Sequence, residues 1–156
     1  MPLYVGDGMQ RLTGKQLTPA QKELIIESFS AFNDTLATFR TERDNPYTVY
    51  FIEEGIGYVA GVELAGELEI LRCYISPAYR GQGYGYQLLR CILEQTTLER
   101  CFLEVRVSNQ RARSLYERVG FVTLGVRRNY YKNPNEDAIM MEWSEANYDN
   151  ETNFSH

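Results

Sequence analysis

Apolar positions in this chain repeat with two periods, one near 3.6 residues and one of 2, and the points where the period changes mark its elements. In TPAQKELIIESFSAF, Thr18 stands at a capping position, Pro19 opens the first turn, and Leu24, Ile25, Phe29 and Phe32 share one face, which predicts a helix over 18–33. YTVYFIEE and IGYVAGVEL, rich in β-branched and aromatic residues and separated by Glu54-Gly55, read as an antiparallel strand pair. ELEILRCYISP is a further strand, stopped by Pro77. Leu88, Leu89, Ile92 and Leu93 then line one face of a second helix. CFLEVRV returns to period two, with Cys101, Leu103, Val105 and Val107 on one side and Phe102, Glu104 and Arg106 on a more polar one. SNQRARSLYERVGF is a helix capped by Ser108 or Asn109, with Ala112, Leu115, Tyr116 and Val119 as its apolar face and Gly120 as its stop. VTLGVRRNYY and DAIMMEW are two last strands around the turn KNPNE.

Strands with interposed helices, without a repeat or a linker, predict one α/β or α+β layered domain over 1–143, followed by a polar, flexible tail over 144–156. A chain of 156 residues, 44% hydrophobic, has enough apolar surface for one core and too little length for two. The formal charge of -5 repels phosphate backbones and anionic lipid and attracts a basic protein or an amine, so neither nucleic acid nor a membrane is an expected partner. Three cysteines without a CxxC pair fit reduced thiols in the cytoplasm, and MPLYVGDGMQ lacks the basic and apolar regions of a secretion signal. The only histidine is His156, the last residue, which argues against Ser-His or Cys-His catalysis and against the usual His/Cys zinc site, so no metal is expected. Chemistry is left to carboxylates, tyrosines, thiols and backbone amides.

RGQGYG, Arg80 to Gly85, sets three glycines at alternate positions before the second helix. A dinucleotide fingerprint would need a third glycine where Tyr86 stands, and a Walker loop would need the absent Gly-Lys-Ser/Thr. There remains a loop of accessible N–H groups at a helix N-terminus, an anion site that suits a pyrophosphate. A conformationally permissive turn is the plainer alternative.

The flanks bear on that choice. ISPAYRGQGYGYQLL resembles the acetyl-CoA loop of the GCN5-related N-acetyltransferases (GNAT), with Pro77, Tyr79, Arg80, Gly81, Gly83 and Gly85 matching. The resemblance implies the GNAT fold, a mixed sheet of about seven strands, splayed in the middle and flanked by helices. It implies that amides of Arg80, Gly81, Gln82, Gly83, Tyr84, Gly85 and Tyr86 hold the coenzyme pyrophosphate, and that the backbone of Cys73, Tyr74 and Ile75 pairs with the pantetheine arm. FLEVRVSNQRARSLYERVGF looks like the next strand and helix of that family, which implies cofactor contact for Asn109 and a place near the coenzyme sulfur for Tyr116. VRRNYYKNPNEDAIMM resembles the RimI branch, which acetylates the N-terminal alanine of ribosomal protein S18. The resemblance runs over roughly 67–143. Where that branch carries Phe-Pro-Trp-Ser, this chain has SFSAFNDTLATFRTERDNPY.

An attacking amine must lose a proton and a departing thiolate must gain one. Glu104, on the polar face of a largely apolar strand, is positioned to accept the first directly or through water, and the RimI resemblance puts the base there; the plainer reading pairs it with Arg106. Glu67 and Glu69 on the neighbouring strand are alternative bases. A tyrosine phenol, with a pKa of about 10, suits protonation of a thiolate, so Tyr116 is the candidate acid, against the plainer reading of an aromatic core residue. Cys73 has no histidine to activate it and reads as an inert thiol, which favours direct transfer in a ternary complex over an acyl-enzyme. Tyr130 and Tyr131 are candidates for the wall of an acceptor channel, or else exposed strand tyrosines. The expectation is an acetyl-CoA-dependent N-acetyltransferase acting on a protein or peptide N-terminus, a ribosomal protein among the candidates, as monomer or homodimer. Acetylation of a small amine such as a polyamine, and a non-catalytic acetyl-CoA-binding module, are the alternatives.

Overall fold

The computed structural model describes residues 8–32, 35–95 and 97–145, in which seven strands form one sheet of order β1-β2-β3-β4-β5-β7-β6. The strands are β1 (Met9–Thr13), β2 (Thr48–Glu53), β3 (Gly57–Leu64), β4 (Glu67–Ile75), β5 (Arg100–Arg106), β6 (Val122–Tyr131) and β7 (Glu136–Ser144). The helices are α1 (Pro19–Phe32), α2 (Leu36–Asp44), α3 (Tyr84–Gln95) and α4 (Gln110–Val119). The sheet is mixed, since β4 and β5 run parallel and every other neighbouring pair antiparallel. The last strand reaches Ser144, and the predicted tail beyond Glu145, His156 included, lies outside the described residues.

Local chemistry accounts for the helix ends. Thr18 Oγ1 accepts from Gln21 N at 3.2 Å while Gln21 Oε1 accepts from Thr18 N at 2.9 Å, a reciprocal cap for α1. Asn109, not Ser108, caps α4: its Oδ1 accepts from Ala112 N at 3.2 Å. Gly120, at φ 122°, ends that helix. Ile25, Phe29 and Phe39 of α1 and α2 bury against Tyr50, Ile52, Tyr58, Ala60 and Tyr74 on one face of the sheet. On the other face α3 and α4 pack over a larger core that includes Leu88, Ile92, Tyr116, Leu103 and Met141.

Two elements, β1 and α2, carry no strong sequence signal. MQRLT does not alternate, and it is held by its ladder with β2. In LATFRTERD only Phe39 and Glu42 are buried, so α2 turns a carboxylate inward. Arg72 Nη1 and Nη2 donate to the two oxygens of Glu42 at 2.7 and 2.8 Å, Tyr50 O–H donates to Glu42 as well, and Arg72 Nε donates to Tyr58 O–H at 3.1 Å. The Arg72 guanidinium also lies 4.6 Å from the centre of the Phe29 ring. Removing one member of such a pair strands a buried charge at a cost of about 3–5 kcal/mol, so the network fixes α2 against β2, β3 and β4.

Two irregularities shape the middle of the sheet. The β4–β5 ladder runs from Glu67↔Arg100 to Ile70↔Leu103 and stops, although β4 continues to Ile75 and β5 to Arg106. At the same point β4 bulges: Gly61 pairs with Ile70 and Ala60 with Arg72, which leaves Leu71 as the extra residue. A side chain at Gly61 would meet Glu69 O at 2.8 Å, so this close approach requires glycine. Across the bulge the strand changes phase. Leu68 and Ile70 pack toward α3 and α4 before it and Cys73 and Ile75 after it, whereas Arg72 and Tyr74 belong to the opposite face.

Candidate active site

A cleft of about 1600 Å3 opens where β4 and β5 part. At one end lies the glycine loop. Pro77 ends β4 and begins a 3-10 turn, Pro77–Tyr79. Arg80 Nε donates to Ile75 O at 2.9 Å and its guanidinium sits 5.4 Å from the Tyr74 ring centre, while Gln82 Nε2 donates to Ala78 O at 3.2 Å. Both side chains therefore fold back on the loop. Gly81 and Gly83 adopt φ of 76° and 87°, a left-handed backbone that disfavours any side chain, and a Cβ on either would meet nothing within 4 Å. Gly85 differs, since its Cβ would come within 3.2 Å of Leu115 Cδ2, which makes it a packing glycine between α3 and α4. The α3 N-terminus faces this loop, with Gln87 N donating to Gly83 O at 3.1 Å. Tyr84 is buried in the core, so it can offer this site only its backbone; Tyr86 lies at the cleft, with the Arg118 guanidinium 5.4 Å from its ring centre. Asn109 also lines the cleft, though its Oδ1 is engaged as the α4 cap.

Beyond Ile70, β4 has no partner on its β5 side, so Cys73, Tyr74 and Ile75 line the cleft with backbone that the sheet leaves open there. Burial pushes the Cys73 thiol up to about 12, which leaves it protonated and a poor nucleophile at neutral pH. Tyr116 reaches the same space from α4. Burial first, then the neighbouring Cys73, Tyr131 and Cys101, raise its phenol well above the ordinary tyrosine range. Its ring packs against Phe121 at 5.7 Å, and its hydroxyl has no hydrogen-bond partner among the described residues. It is a protonated donor with its proton uncommitted.

The other end of the cleft holds two carboxylates, Glu69 and Glu104. Glu104 Oε1 lies 3.0 Å from Arg127 Nε of β6, and not beside Arg106 as its place in the strand suggested. Arg106 is occupied elsewhere: it pairs with Glu136 at 3.3 Å and donates to Pro134 O and Lys132 O at 3.0 and 3.1 Å, bracing the β6–β7 turn. Glu69 stands on the β4 wall of the same cleft, and burial first, then the charge of Glu104, raise its carboxyl above the usual range, with Arg127 opposing. Glu67 is withdrawn as a candidate base. It sits at the closed end of the β4–β5 ladder, 3.7 Å from Arg100, and does not line the cleft. Tyr130 and Tyr131 stand edge to face at 5.0 Å beside this group. Interaction with Glu104 is the first cause that raises Tyr130, whereas burial, then Glu104, pushes Tyr131 up to about 12.

Sequence reasoning missed Arg127 and the cleft wall from α1 and α2, where Phe32, Thr38 and Thr41 stand in the stretch that replaces Phe-Pro-Trp-Ser. A β6 register shift between Arg127 and Tyr131 makes the neighbours of Arg127 unreadable by counting along the chain. Among the described residues no three His, Cys, Asp or Glu side chains form a metal cluster, and no helix is long and apolar enough to cross a membrane.

A mixed sheet that splays between two parallel strands, with a glycine loop at the helix following the first of them, defines an acyltransferase of a known kind. Residues 15–121 match the model of the Acetyltransferase (GNAT) family, and the chain belongs to it as an N-acetyltransferase. It is 38% identical over 105 residues to the putative [ribosomal protein bS18]-alanine N-acetyltransferase of Bacillus subtilis, an alignment that covers 63% of this chain and 70% of that protein. The crystal structure of the ribosomal-protein-S18-alanine N-acetyltransferase from Escherichia coli matches with a TM-score of 0.69 at 26% identity, over 87% of this chain and 93% of that one. Spermidine N-acetyltransferase from Vibrio cholerae, crystallised in complex with CoA and spermine, matches with a TM-score of 0.71 over 92% of this chain and 99% of that one; at 18% identity the likeness is one of fold.

Proposed function

We propose that this N-acetyltransferase takes its acetyl group from acetyl-CoA and delivers it to the α-amino group of a protein N-terminus, by direct attack in a ternary complex. The observation that carries this reading is a single cleft with a donor of protons, Tyr116, on one wall and a pair of carboxylates, Glu69 and Glu104, toward the other end. Bound acetyl-CoA supplies the activated acyl group. Loop amides from Gly81 to Tyr86 hold its pyrophosphate, aided by the α3 dipole, whereas the Arg80 amide donates to Pro77 O; the open backbone of Cys73 to Ile75 aligns the pantetheine arm and Asn109 lends the rest of its side chain. Glu104 takes the proton from the attacking nitrogen, directly or through water, and Tyr116 Oη gives a proton to the departing sulfur. The thiol of Cys73 stays out of the reaction.

An α-amine, with a pKa of about 7.7–8.0, is within reach of a carboxylate base at neutral pH, whereas a lysine amine near 10.4 is a harder substrate. The acidic pair also suits a polyamine, which makes that the second reading. Incubation with acetyl-CoA separates them. Peptides that begin with alanine or serine followed by basic residues are expected to be acetylated, and the same peptides blocked at the N-terminus but carrying free lysines are not. Faster acetylation of spermidine, or of internal lysines, than of any free peptide terminus would overturn the N-terminal assignment.

A further inference from the structure

We propose that Arg127 is a positioning residue of the acceptor site, which holds the Glu104 carboxylate in place and cancels one of the two negative charges that meet there. Arg127 Nε lies 3.0 Å from Glu104 Oε1 and 3.1 Å from Met140 Sδ, and its guanidinium is 5.8 Å from the centre of the Tyr130 ring. Contacts to β5, to β7 and within β6 thus orient a side chain that is 56% exposed. The charged and titratable groups at this end are Glu69 from β4, Glu104 and Arg106 from β5, Arg127, Tyr130 and Tyr131 from β6, Lys132 just after it and Glu136 from β7, whose Met140 faces Arg127. Arg106 is committed to Glu136 and the β6–β7 turn. Arg127 is accordingly the cation in direct contact with Glu104, and its charge also acts on Glu69.

Its loss has a definite consequence. Two neighbouring carboxylates without a counter-charge share a proton, and a carboxyl that already holds a proton cannot accept one from an ammonium. Arg127 acts against this, in the direction opposite to burial and to the Glu104 charge on Glu69. The inference rests on the acetyl-transfer reading above and holds for whichever amine is the acceptor.

The test compares the parent with Arg127→Met and Arg127→Lys. The first measurement is the pH dependence of kcat/KM for one amine, so that the ionisation of the amine is common to all three proteins. The second needs no substrate: NMR titration of the glutamate side-chain carboxyl carbons. Arg127→Met is expected to move the acidic limb of the rate profile, and the titration of the carboxylate pair, to higher pH by about one unit, and Arg127→Lys to restore at least half of that move. Melting temperature should hardly change, because an ion pair this exposed contributes little to stability. A carboxyl titration unmoved in Arg127→Met overturns the proposal, and so does a Lys variant as shifted as the Met variant, which would assign the effect to packing. If no amine is acetylated, the functional reading fails at the kinetic step and the titration still decides the role of Arg127.

Discussion

Tyr116 is a residue whose environment and proposed role agree. A phenol made less acidic by burial stays protonated through the working pH range, and an unpartnered hydroxyl can turn to a departing sulfur without breaking another bond. Tyr116→Phe should therefore lower turnover by roughly 100-fold or more while acetyl-CoA affinity stays close to that of the parent, a separation that steady-state kinetics beside calorimetric titration would detect. Equal turnover in the variant would remove the tyrosine from the mechanism. The places of Tyr116 and Glu104 in the fold were legible in the sequence, the first from its 3.6-residue apolar face and the second from the polar side of an alternating strand, whereas the roles proposed for them come from the resemblance to the GNAT family. What the sequence could not supply was their company. Glu104 meets Arg127 because strands β5, β7 and β6 lie side by side with two register shifts in β6, and neither shift leaves a trace in composition.

At the scale of elements, the glycine loop separates into two functions that the motif alone ran together. Gly81 and Gly83 are required by a left-handed backbone in front of open space, and Gly85 by the approach of α4. Gly83→Ala should strain the loop by about 1–2 kcal/mol and weaken acetyl-CoA binding, whereas Gly85→Val should unfold at lower denaturant through its contact with Leu115. Titration of acetyl-CoA into both variants, with urea melts alongside, checks the division; unchanged affinity in Gly83→Ala would argue against the loop as the pyrophosphate site. Strong elements were readable to within a residue or two: β6 spans the predicted VTLGVRRNYY, and α1 falls inside 18–33. The weak ones, β1 and α2, depend on partners far along the chain, a ladder with β2 and a buried charge pair with Arg72, so short-range pattern has little to say about them.

Taken as a whole, the molecule carries a net charge of -5. For a basic peptide acceptor, KM should rise with salt while kcat holds, because screening weakens encounter and leaves the bound geometry alone. Measured from about 50 to 300 mM salt, a KM that does not change would remove long-range attraction from the account of specificity. The bulge at Leu71 has a consequence of a different kind, for anyone who lines this chain up against a relative. Counting by twos from Leu68 assigns Arg72 and Tyr74 to the α3 side, and the strand is correct only if residue 71 is treated as an inserted position. A relative without the insertion would need a gap opposite Leu71, and a gap set anywhere downstream would exchange the residues of the cleft wall for those of the core behind it. The same parity governs transplants: a β4 segment that keeps Leu71, moved into a scaffold whose strand has no bulge there, would arrive with Cys73 and Ile75 on the face opposite to Leu68 and Ile70.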